Sequence, residues 1–214
     1  MRAVGNPLRE RPVRRLLQLL VGLAAYGVGA ALMLRANLGL DPWDVFHQGL
    51  AKLLGVGIGW IVIAVGAIVL LAWIPLRQRP GIGTVANAVL IGLTMQATLA
   101  VLPAPDALGF RITFLVVGVV LTGLATGLYI GAGLGPGPRD GLMTGLVARR
   151  PGRSIRLVRT LIEVTVLAAG WLLGGTVGLG TLLYAVTIGP LAHVFIPMLT
   201  IRTARDAVGE RVGG

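Results

Sequence analysis

Ionisable side chains are scarce in this sequence, and several of them lie in or beside long apolar stretches. The candidates for chemistry are Asp41, Asp44, His47, Arg139, Asp140 and Glu163. Ionisable residues at membrane depth usually pair with one another or face a water-filled cavity, and they mark substrate and ion pathways. Carboxylates in such places favour cations or protons, and a histidine can titrate near neutral pH. We therefore interpret this set as the candidate lining of a substrate or ion pathway.

Two of the carboxylates belong to a helix-start motif, Asp41-Pro42-Trp43-Asp44. Asp41 suits the N-cap and Pro42 the first helical position. Asp44 takes the third position, from which a carboxylate can reach back to the backbone of the cap. A second copy follows at Gly137-Pro138-Arg139-Asp140. The glycines of this motif permit backbone conformations that other residues resist, and the helix-start backbone of the two copies comprises Asn37, Gly39, Pro42, Gly135, Gly137 and Pro138.

Two interpretations of Asp44 and Asp140 are open. In the first, they only cap two short helices. In the second, the two helix starts converge on a pathway, where irregular polar backbone survives at membrane depth because it lines a cavity. Free N–H groups at helix starts favour anions, whereas the carboxylates favour cations or protons. The sequence therefore leaves the charge of a substrate undetermined.

The motif occurs twice because the chain contains an internal repeat. Residues 36–50 and 132–146 are identical at seven of fifteen positions, including Pro42/Pro138 and Asp44/Asp140. The match extends upstream at the same offset. Downstream it continues after a shift of one residue, where residues 81–84 pair with residues 178–181. We define repeat 1 as residues 16–102 and repeat 2 as residues 112–199.

The composition indicates an integral membrane protein. Apolar residues make up 55% of the chain, charged residues only 13%, and the mean hydropathy is +0.86. Apolar runs of about 20 residues match the length that a helix needs to cross a bilayer. The net charge of +11 indicates membrane topology rather than nucleic-acid binding, because basic residues gather on the cytoplasmic side. The chain has no cysteine, which excludes disulfides and thiol chemistry.

The apolar runs predict an all-α fold with about six membrane-spanning helices, over residues 16–34, 58–76, 82–102, 112–130, 155–173 and 179–199. Segments 41–54 and 138–148 are too short to cross comfortably, so we expect short re-entrant or interfacial helices there. Residues 1–15 form a basic N-terminal segment and residues 200–214 a polar tail, both cytoplasmic, around one membrane domain. A cleaved signal peptide is the weaker interpretation of the first run, because residues 112–130 repeat it inside the chain.

The distribution of basic residues predicts the topology. With six spans, all 19 Lys and Arg residues except Arg35, Lys52 and Arg111 face the cytoplasm. An eight-span alternative, in which both short segments cross, gives nearly the same distribution, and segment length favours six. Three spans per repeat is an odd number, so repeat 2 is expected to be inverted relative to repeat 1. Inverted repeats with short or broken helices are a recurring plan of transporters, with the binding site where the repeats meet.

Glu163 is the one acidic residue well inside a predicted span, and Arg159 lies one helical turn before it. One interpretation is a structural ion pair, since residues four apart are neighbours on a helix surface. The other is a role in coupling or substrate contact. His47 also has two interpretations, as a titrating group or as a histidine with one structural hydrogen bond.

Three segments carry a resemblance to a known family: "ANLGLDPWDVFHQGLA" from residue 36, "GAGLGPGPRDGLMTGL" from residue 131 and "GTLLYAVTIGPLAHVF" from residue 180. With these motifs the chain resembles the YczE/YyaS/YitT family of bacterial membrane proteins, and the YczE branch in particular, over nearly its whole length. The resemblance implies a bacterial inner-membrane protein with five or six spans. It implies no particular substrate, because none is generally established for the family.

Together these observations predict a small transporter or permease with its binding site at the interface of the two repeats. The alternative is a non-transporting membrane accessory protein that scaffolds or regulates a partner. An enzyme is not expected, because no nucleophile–base set, metal-ligand cluster or nucleotide-binding loop occurs. We expect no cofactor and no metal. The expected partners are the lipid bilayer and a small-molecule or ion substrate but not nucleic acid, and a homodimer is left open.

Overall fold

The computed structural model describes residues 11–149, 152 and 154–201. Within them the chain forms eight α-helices and no strand, as the sequence predicts. The helices are α1 (Pro12–Ala36), α2 (Pro42–Leu54), α3 (Ile58–Leu76), α4 (Ile82–Val101), α5 (Leu108–Gly131), α6 (Pro138–Arg149), α7 (Ile155–Leu172) and α8 (Leu179–Leu199). The predicted N-terminal segment up to residue 10 and the predicted tail from residue 202 lie outside the described residues.

Five of these helices, α1, α3, α4, α5 and α8, are long and apolar enough to cross a membrane. Large apolar side chains on them are exposed, among them Ile74 at 71% and Leu179 at 78%, which suits contact with lipid rather than water. Helix α7 covers the predicted fifth span, but its 18 residues include Arg156, Arg159 and Glu163. On length and composition alone, therefore, the described chain has five candidate spans instead of six.

Helices α1 and α5 form the centre of the bundle and run antiparallel. At one end, Arg15 Nη1 donates a hydrogen bond of 2.8 Å to the carbonyl of Ala132. At the other end, Arg111 Nε donates one of 2.8 Å to the carbonyl of Ala36. Arg15 is only 3% exposed, and helix α1 begins at Pro12 rather than at the predicted residue 16. Helix α1 can begin before this buried arginine, because carbonyl groups elsewhere in the chain accept hydrogen bonds from its guanidinium.

Helix α4 packs on α1, and α8 packs on α5, through glycines that bring the backbones close. A Cβ placed on Gly27 of α1 would lie 2.7 Å from the carbonyl oxygen of Ile91. A Cβ on Gly127 of α5 would lie 2.7 Å from Cβ of Phe195. Small residues allow this approach in membrane helices, where packing rather than hydrophobic burial holds helices together. The four long helices α1, α4, α5 and α8 thus make one continuous packed unit.

The short helices α2 and α6 end at opposite ends of the bundle. Lys52, near the end of α2, donates a hydrogen bond of 2.6 Å to the carbonyl of Gly174. Arg149, at the end of α6, donates one to the carbonyl of Pro75. We call the end that carries Arg15, the 77–81 loop and Arg149 the basic end, and the end that carries Lys52 and Arg111 the opposite end.

The loops before the two short helices have the same backbone pattern. Asn37 and Gly39 have φ values of 49° and 118°, and the matching residues Gly133 and Gly135 have 68° and 128°. The loops also make reciprocal contacts. Gly180 N donates 2.7 Å to the carbonyl of Leu38, and Gly83 N donates 2.9 Å to the carbonyl of Leu134. Each loop is therefore held by the helix start of the other repeat, at α8 and α4 respectively.

Candidate functional site

A cavity of about 360 Å³ lies where the starts of α2 and α6 meet, and side chains from all eight helices or their caps line it. Of the six ionisable candidates, five line this cavity: Asp41, His47, Arg139, Asp140 and Glu163. The sixth, Asp44, is buried behind the lining and lies 3.8 Å from Arg139. The fold thus brings together residues that lie more than a hundred positions apart in the chain.

The start of α2 is capped by Asp41. Its Oδ1 accepts hydrogen bonds from the backbone N of Trp43 at 3.0 Å and of Asp44 at 3.3 Å, and α2 begins at Pro42 as predicted. An N-cap carboxylate satisfies N–H groups that a helix start otherwise leaves free. At α2 these groups are therefore already occupied from within the protein.

No hydrogen bond from the backbone N–H of Asp41 to the Asp44 carboxylate is found among the described residues, which corrects the expectation from the capping motif. Its Oδ1 lies 2.9 Å from Nδ1 of His47, one turn further along α2, and both side chains are buried. Burial, and then the neighbouring Arg139, lower the pKa of His47 to about 3, so its ring is neutral at physiological pH. The contact is accordingly a hydrogen bond donated by a neutral imidazole and not an ion pair. Within the described part of the chain the His47 side chain makes this one hydrogen bond, which fits the structural interpretation.

Arg139 reaches from the start of α6 to the start of α2. Its Nη1 lies 3.6 Å from Asp41 Oδ1 and its Nη2 lies 3.8 Å from Asp44 Oδ1. Its Cζ sits 5.0 Å from the centre of the Trp43 ring. The distances to the carboxylates exceed those of hydrogen bonds, and the Arg139 side chain is 26% exposed against 5% for each aspartate. Charge attraction and the ring face hold Arg139 loosely at the edge of the cavity.

The carboxyl group of Asp41 is easier to protonate than an ordinary aspartate. Burial, followed by the nearby charge of Asp44, raises the pKa of Asp41 to about 8, although Arg139 acts in the other direction. Removing an isolated charge from water is costly, so burial favours the neutral, protonated form of the carboxyl group. Asp41 is therefore a group that can gain or lose a proton near neutral pH.

The start of α6 carries its own carboxylate. Asp140 Oδ2 accepts a hydrogen bond of 3.2 Å from the Tyr129 hydroxyl, and Trp73 Nε1 donates 3.0 Å to the carbonyl of Pro138. A Cβ placed on Gly137, which precedes α6, would lie 3.3 Å from Asp140 Oδ2. The carboxylate thus lies beside the first turn of the helix. Both short helices therefore present an acidic side chain to the cavity beside the helix start.

Glu163 and Arg159 form the predicted ion pair on α7, with 2.8 Å between Arg159 Nε and Glu163 Oε1. The pair is half-open, since the side chains are 55% and 33% exposed, and both residues line the cavity. The contact fits the structural interpretation, while the position in the cavity wall fits the functional one.

The site residues predicted from the sequence include no tyrosine. The chain has only three, Tyr26, Tyr129 and Tyr184, and all three line the cavity. Tyr26 and Tyr129 meet edge to face, with ring centres 6.3 Å apart. Their scarcity was an available signal, because a tyrosine hydroxyl inside an apolar helix needs a polar partner.

The cavity is sealed between α3 and α4 but open between α7 and α8. A Cβ on Gly59 would lie 2.6 Å from Cβ of Gln96, and one on Gly66 would lie 3.2 Å from Cβ of Ala88. In repeat 2 the residues that match Gly59 and Gly66 are Arg156 and Glu163. Their side chains are too large for a contact of this kind. Helices α7 and α8 pack on α2 and α5 rather than on each other.

The opening has a direction. Residues 173–178 join α7 to α8 at the opposite end, so a gap between the two helices can widen only toward the basic end. Gly189 of α8, which matches Gly92 of α4, has nothing within 4 Å of an added Cβ. The corresponding Gly92 would meet the carbonyl of Gly59. Where α3 has Gly59 and Gly66 at its contact with α4, α7 has Arg156 and Glu163, whose side chains are too large for the same close approach.

Comparison with known proteins agrees with the motifs at the helix starts. Residues 13–197 match the family described as "Family of unknown function (DUF6198)". This chain belongs to that family. It is 34% identical over 190 residues to the uncharacterized membrane protein YczE of Bacillus subtilis, covering 88% of this chain and 87% of YczE. The resemblance to the YczE and YyaS proteins is therefore confirmed.

Two further relatives cover a similar share of the chain. An uncharacterized protein of Haemophilus influenzae is 41% identical over 181 residues, which is 85% of this chain and 83% of that protein. The uncharacterized protein YyaS of Bacillus subtilis is 28% identical over 183 residues, or 84% of this chain and 90% of YyaS. No solved structure matches the chain. The description of YczE as a membrane protein supports a location in a membrane, which the exposed apolar helices also indicate.

Proposed function

We propose that this protein is a small transporter of the bacterial inner membrane, in which a substrate binds in the cavity between the two repeats. The main observation behind the proposal is that two matching helix pairs around one polar cavity are packed differently. The α3–α4 pair is packed through glycines, whereas the α7–α8 pair is parted. A carrier needs one binding site with two gates that open in turn.

The proposal includes an inverted repeat, and three contacts support it. Helices α1 and α5, which match in sequence, run antiparallel through the centre of the bundle. The two helix-start loops contact α8 and α4 reciprocally. Arg139 and Trp43, which occupy the same position in their repeats, lie against each other. Residues on an axis that relates two copies are expected to meet their own counterparts.

Helix α7 serves as the sixth span in this proposal, and α2 and α6 are re-entrant. The charged side chains of α7 need not face lipid, because Arg159 and Glu163 pair with each other and line the cavity. Such residues in membrane helices normally face a bundle interior or a wet cavity. The basic end then faces the cytoplasm, with both termini, because positive residues are retained on that side.

The proposed inverted repeat predicts a second conformation for the transport cycle, in which the two repeats exchange their arrangements. In the present state the parted α7 and α8 open the cavity toward the basic end, which is the cytoplasmic side of the proposal. In the second state α7 and α8 close, and α3 and α4 part toward the opposite end. The closed α3–α4 contact and the open α7–α8 contact would exchange roles about the same cavity.

Uptake by proteoliposomes tests the proposal. Purified protein is reconstituted, and uptake from pools of small metabolites is measured with and without a proton gradient. We expect uptake of at least one pool above protein-free vesicles, and loss of that uptake in the Asp44→Asn/Asp140→Asn variant. The matched control is Asp106→Asn, in an exposed loop away from the cavity. Absence of protein-dependent uptake, together with co-purification of a stoichiometric membrane partner, would support the accessory alternative instead.

A further inference from the structure

We infer that the cavity takes a small organic cation, and that Arg139 occupies the cation's place as a tethered substitute when no substrate is bound. The inference rests on the proposed function and names its substrate class. It concerns the sign of the substrate's charge, which the helix-start motif alone left undetermined.

The two helix starts argue against an anionic substrate. Anion sites at helix N-termini depend on backbone N–H groups that are free to face the ligand. At α2, Asp41 already accepts hydrogen bonds from two of them, those of Trp43 and Asp44. At α6, Asp140 lies beside the first turn, bonded by Tyr129. Each start therefore places a carboxyl group where an anion would have to bind.

The charges that line the cavity also favour a cation. Three carboxyl groups face it, Asp41, Asp140 and Glu163, against the two guanidinium groups of Arg139 and Arg159. The charge of Asp41 is present above its pKa of about 8. Arg159 is matched by Glu163 at 2.8 Å. Arg139 alone stands opposite two aspartates, because Asp44 lies 3.8 Å away behind the lining. When Arg139 moves aside, both aspartates lose their cation and the site becomes acidic.

The surroundings of Arg139 already form a place for an organic cation. The guanidinium stands 5.0 Å from the centre of the Trp43 ring, as cations do over aromatic faces. Tyr26, Tyr129 and Tyr184 complete an aromatic wall, and 360 Å³ gives room for a small molecule. Among the described residues, no three His, Asp or Glu side chains converge as the ligands of a metal ion do. The wall therefore suits an ammonium or guanidinium group better than a bare metal ion.

The indole N–H of Trp43 gives independent evidence that the cavity binds a molecule with a hydrogen-bond acceptor. Its Nε1 is buried and has no hydrogen-bond partner in the described part of the chain, and the residue is 6% exposed. A buried donor left unpaired is costly. Trp43 lines the cavity, and an oxygen of a bound molecule would supply the acceptor that Nε1 lacks. The expected ligand carries a cationic group together with an oxygen acceptor, as an amino alcohol does.

Equilibrium binding to the purified protein tests the inference without requiring transport. The probes are guanidinium, methylammonium and choline, with inorganic phosphate and acetate as anions, measured by calorimetry and by thermal shift. We expect Arg139→Gln to bind the cations about tenfold more tightly or better, because the tethered competitor is gone; tenfold corresponds to about 1.4 kcal/mol. The matched control, Arg79→Gln in an exposed loop, is expected to bind them as the unmodified protein does.

A second variant covers the case in which Arg139→Gln does not fold. Asp41→Asn keeps a side-chain oxygen for the cap, since asparagine is also a good N-cap residue. It removes one carboxylate, so cation binding should weaken. Binding of phosphate or acetate that Arg139→Gln abolishes would overturn the inference, and so would no cation binding to either form. If a cation binds but is not taken up, the proposed transport is refuted and the cation inference stands. If an anion is taken up, the proposed transport stands and the cation inference is refuted.

Discussion

Arg139 of repeat 2 lies over the ring of Trp43 of repeat 1, with 5.0 Å between Cζ and the ring centre. The two residues hold the same position in their repeats, so the contact joins two counterparts. One copy supplies the aromatic face and the other the charge. A pair of identical residues in these positions could not make this contact, because two arginines would repel and two tryptophans would leave both aspartates without a cation. The two repeats therefore contribute different groups to this contact.

The first prediction concerns the sealed contact between α3 and α4. Gly92→Ala should lower the melting temperature of the detergent-purified protein, because the new methyl group meets the carbonyl of Gly59. Overpacking of this kind costs about 1–3 kcal/mol. Its matched control is Gly189→Ala, the same change at the corresponding position of α8, where nothing lies within 4 Å. Equal melting temperatures for the two variants would contradict the difference between the helix pairs.

The second prediction concerns closure of the open pair. A Thr160→Cys/Gly189→Cys variant places thiols on α7 and α8 at positions that match Ile63 and Gly92, which are packed together in repeat 1. If α7 and α8 close during transport, a short thiol cross-linker should join the two positions and stop uptake. A reducible cross-linker allows recovery on reduction, and each single-cysteine variant serves as control. Undiminished uptake by fully cross-linked protein would refute the closure.

The third prediction concerns pH. Since burial and Asp44 raise the pKa of Asp41 to about 8, this carboxyl group is mostly neutral at pH 6 and mostly ionised at pH 9. Cation binding needs the ionised form, so affinity should rise with pH, by up to about tenfold per unit below the pKa. The groups facing Asp41 are Asp44, His47, Arg139, Tyr26 and Tyr184.

Calorimetry with guanidinium at several pH values measures this dependence. His47 does not contribute to it, because burial lowers its pKa to about 3, well below the range tested. The Asp41→Asn variant should show a flat profile over the same range. An unchanged slope in that variant would assign the dependence to another group.

The fourth prediction concerns topology. The chain has no cysteine, so single cysteines can be introduced without background. Arg79→Cys lies in the loop at the basic end and Asp106→Cys in the exposed loop at the opposite end. In intact bacterial cells, an impermeant thiol reagent should label position 106 and leave position 79 unlabelled until the membrane is opened. The reverse pattern would invert the proposed orientation, and labelling of both would refute the six-span arrangement.

The fifth prediction separates capping from function at the two repeated aspartates. Asp44 bonds to His47 and Asp140 to Tyr129, and Asp41 is the residue that caps α2. Changing Asp44 and Asp140 to asparagine should therefore leave the melting temperature near that of the unmodified protein, because an amide oxygen can replace each accepting carboxylate oxygen. Uptake should fall by more than tenfold, because the charge is lost. Normal uptake in the double variant would remove both residues from the pathway.

Local chemistry made several features readable from the sequence. The Asp41-Pro42 helix start, the limits of α3 and α8, and the Arg159–Glu163 pair depend on neighbours within a few residues, and each is found as predicted. Membrane character followed from composition, because a bilayer imposes the same length and polarity on any helix that crosses it. Family membership followed from the helix-start motifs and holds over residues 13–197.

Only the tertiary structure decided which groups meet. Position three of a helix permits a carboxylate to bond back to the backbone of the cap, yet in the folded chain Asp44 bonds to His47, one turn further along α2. The approach of Arg139 to Trp43 depends on two loops that are each anchored by the other repeat. Likewise, the glycines of α3 and the charges of α7 were visible in the sequence. Their effect, one sealed helix pair and one open pair, depends on which helix each faces, and that is a property of packing and not of chain order.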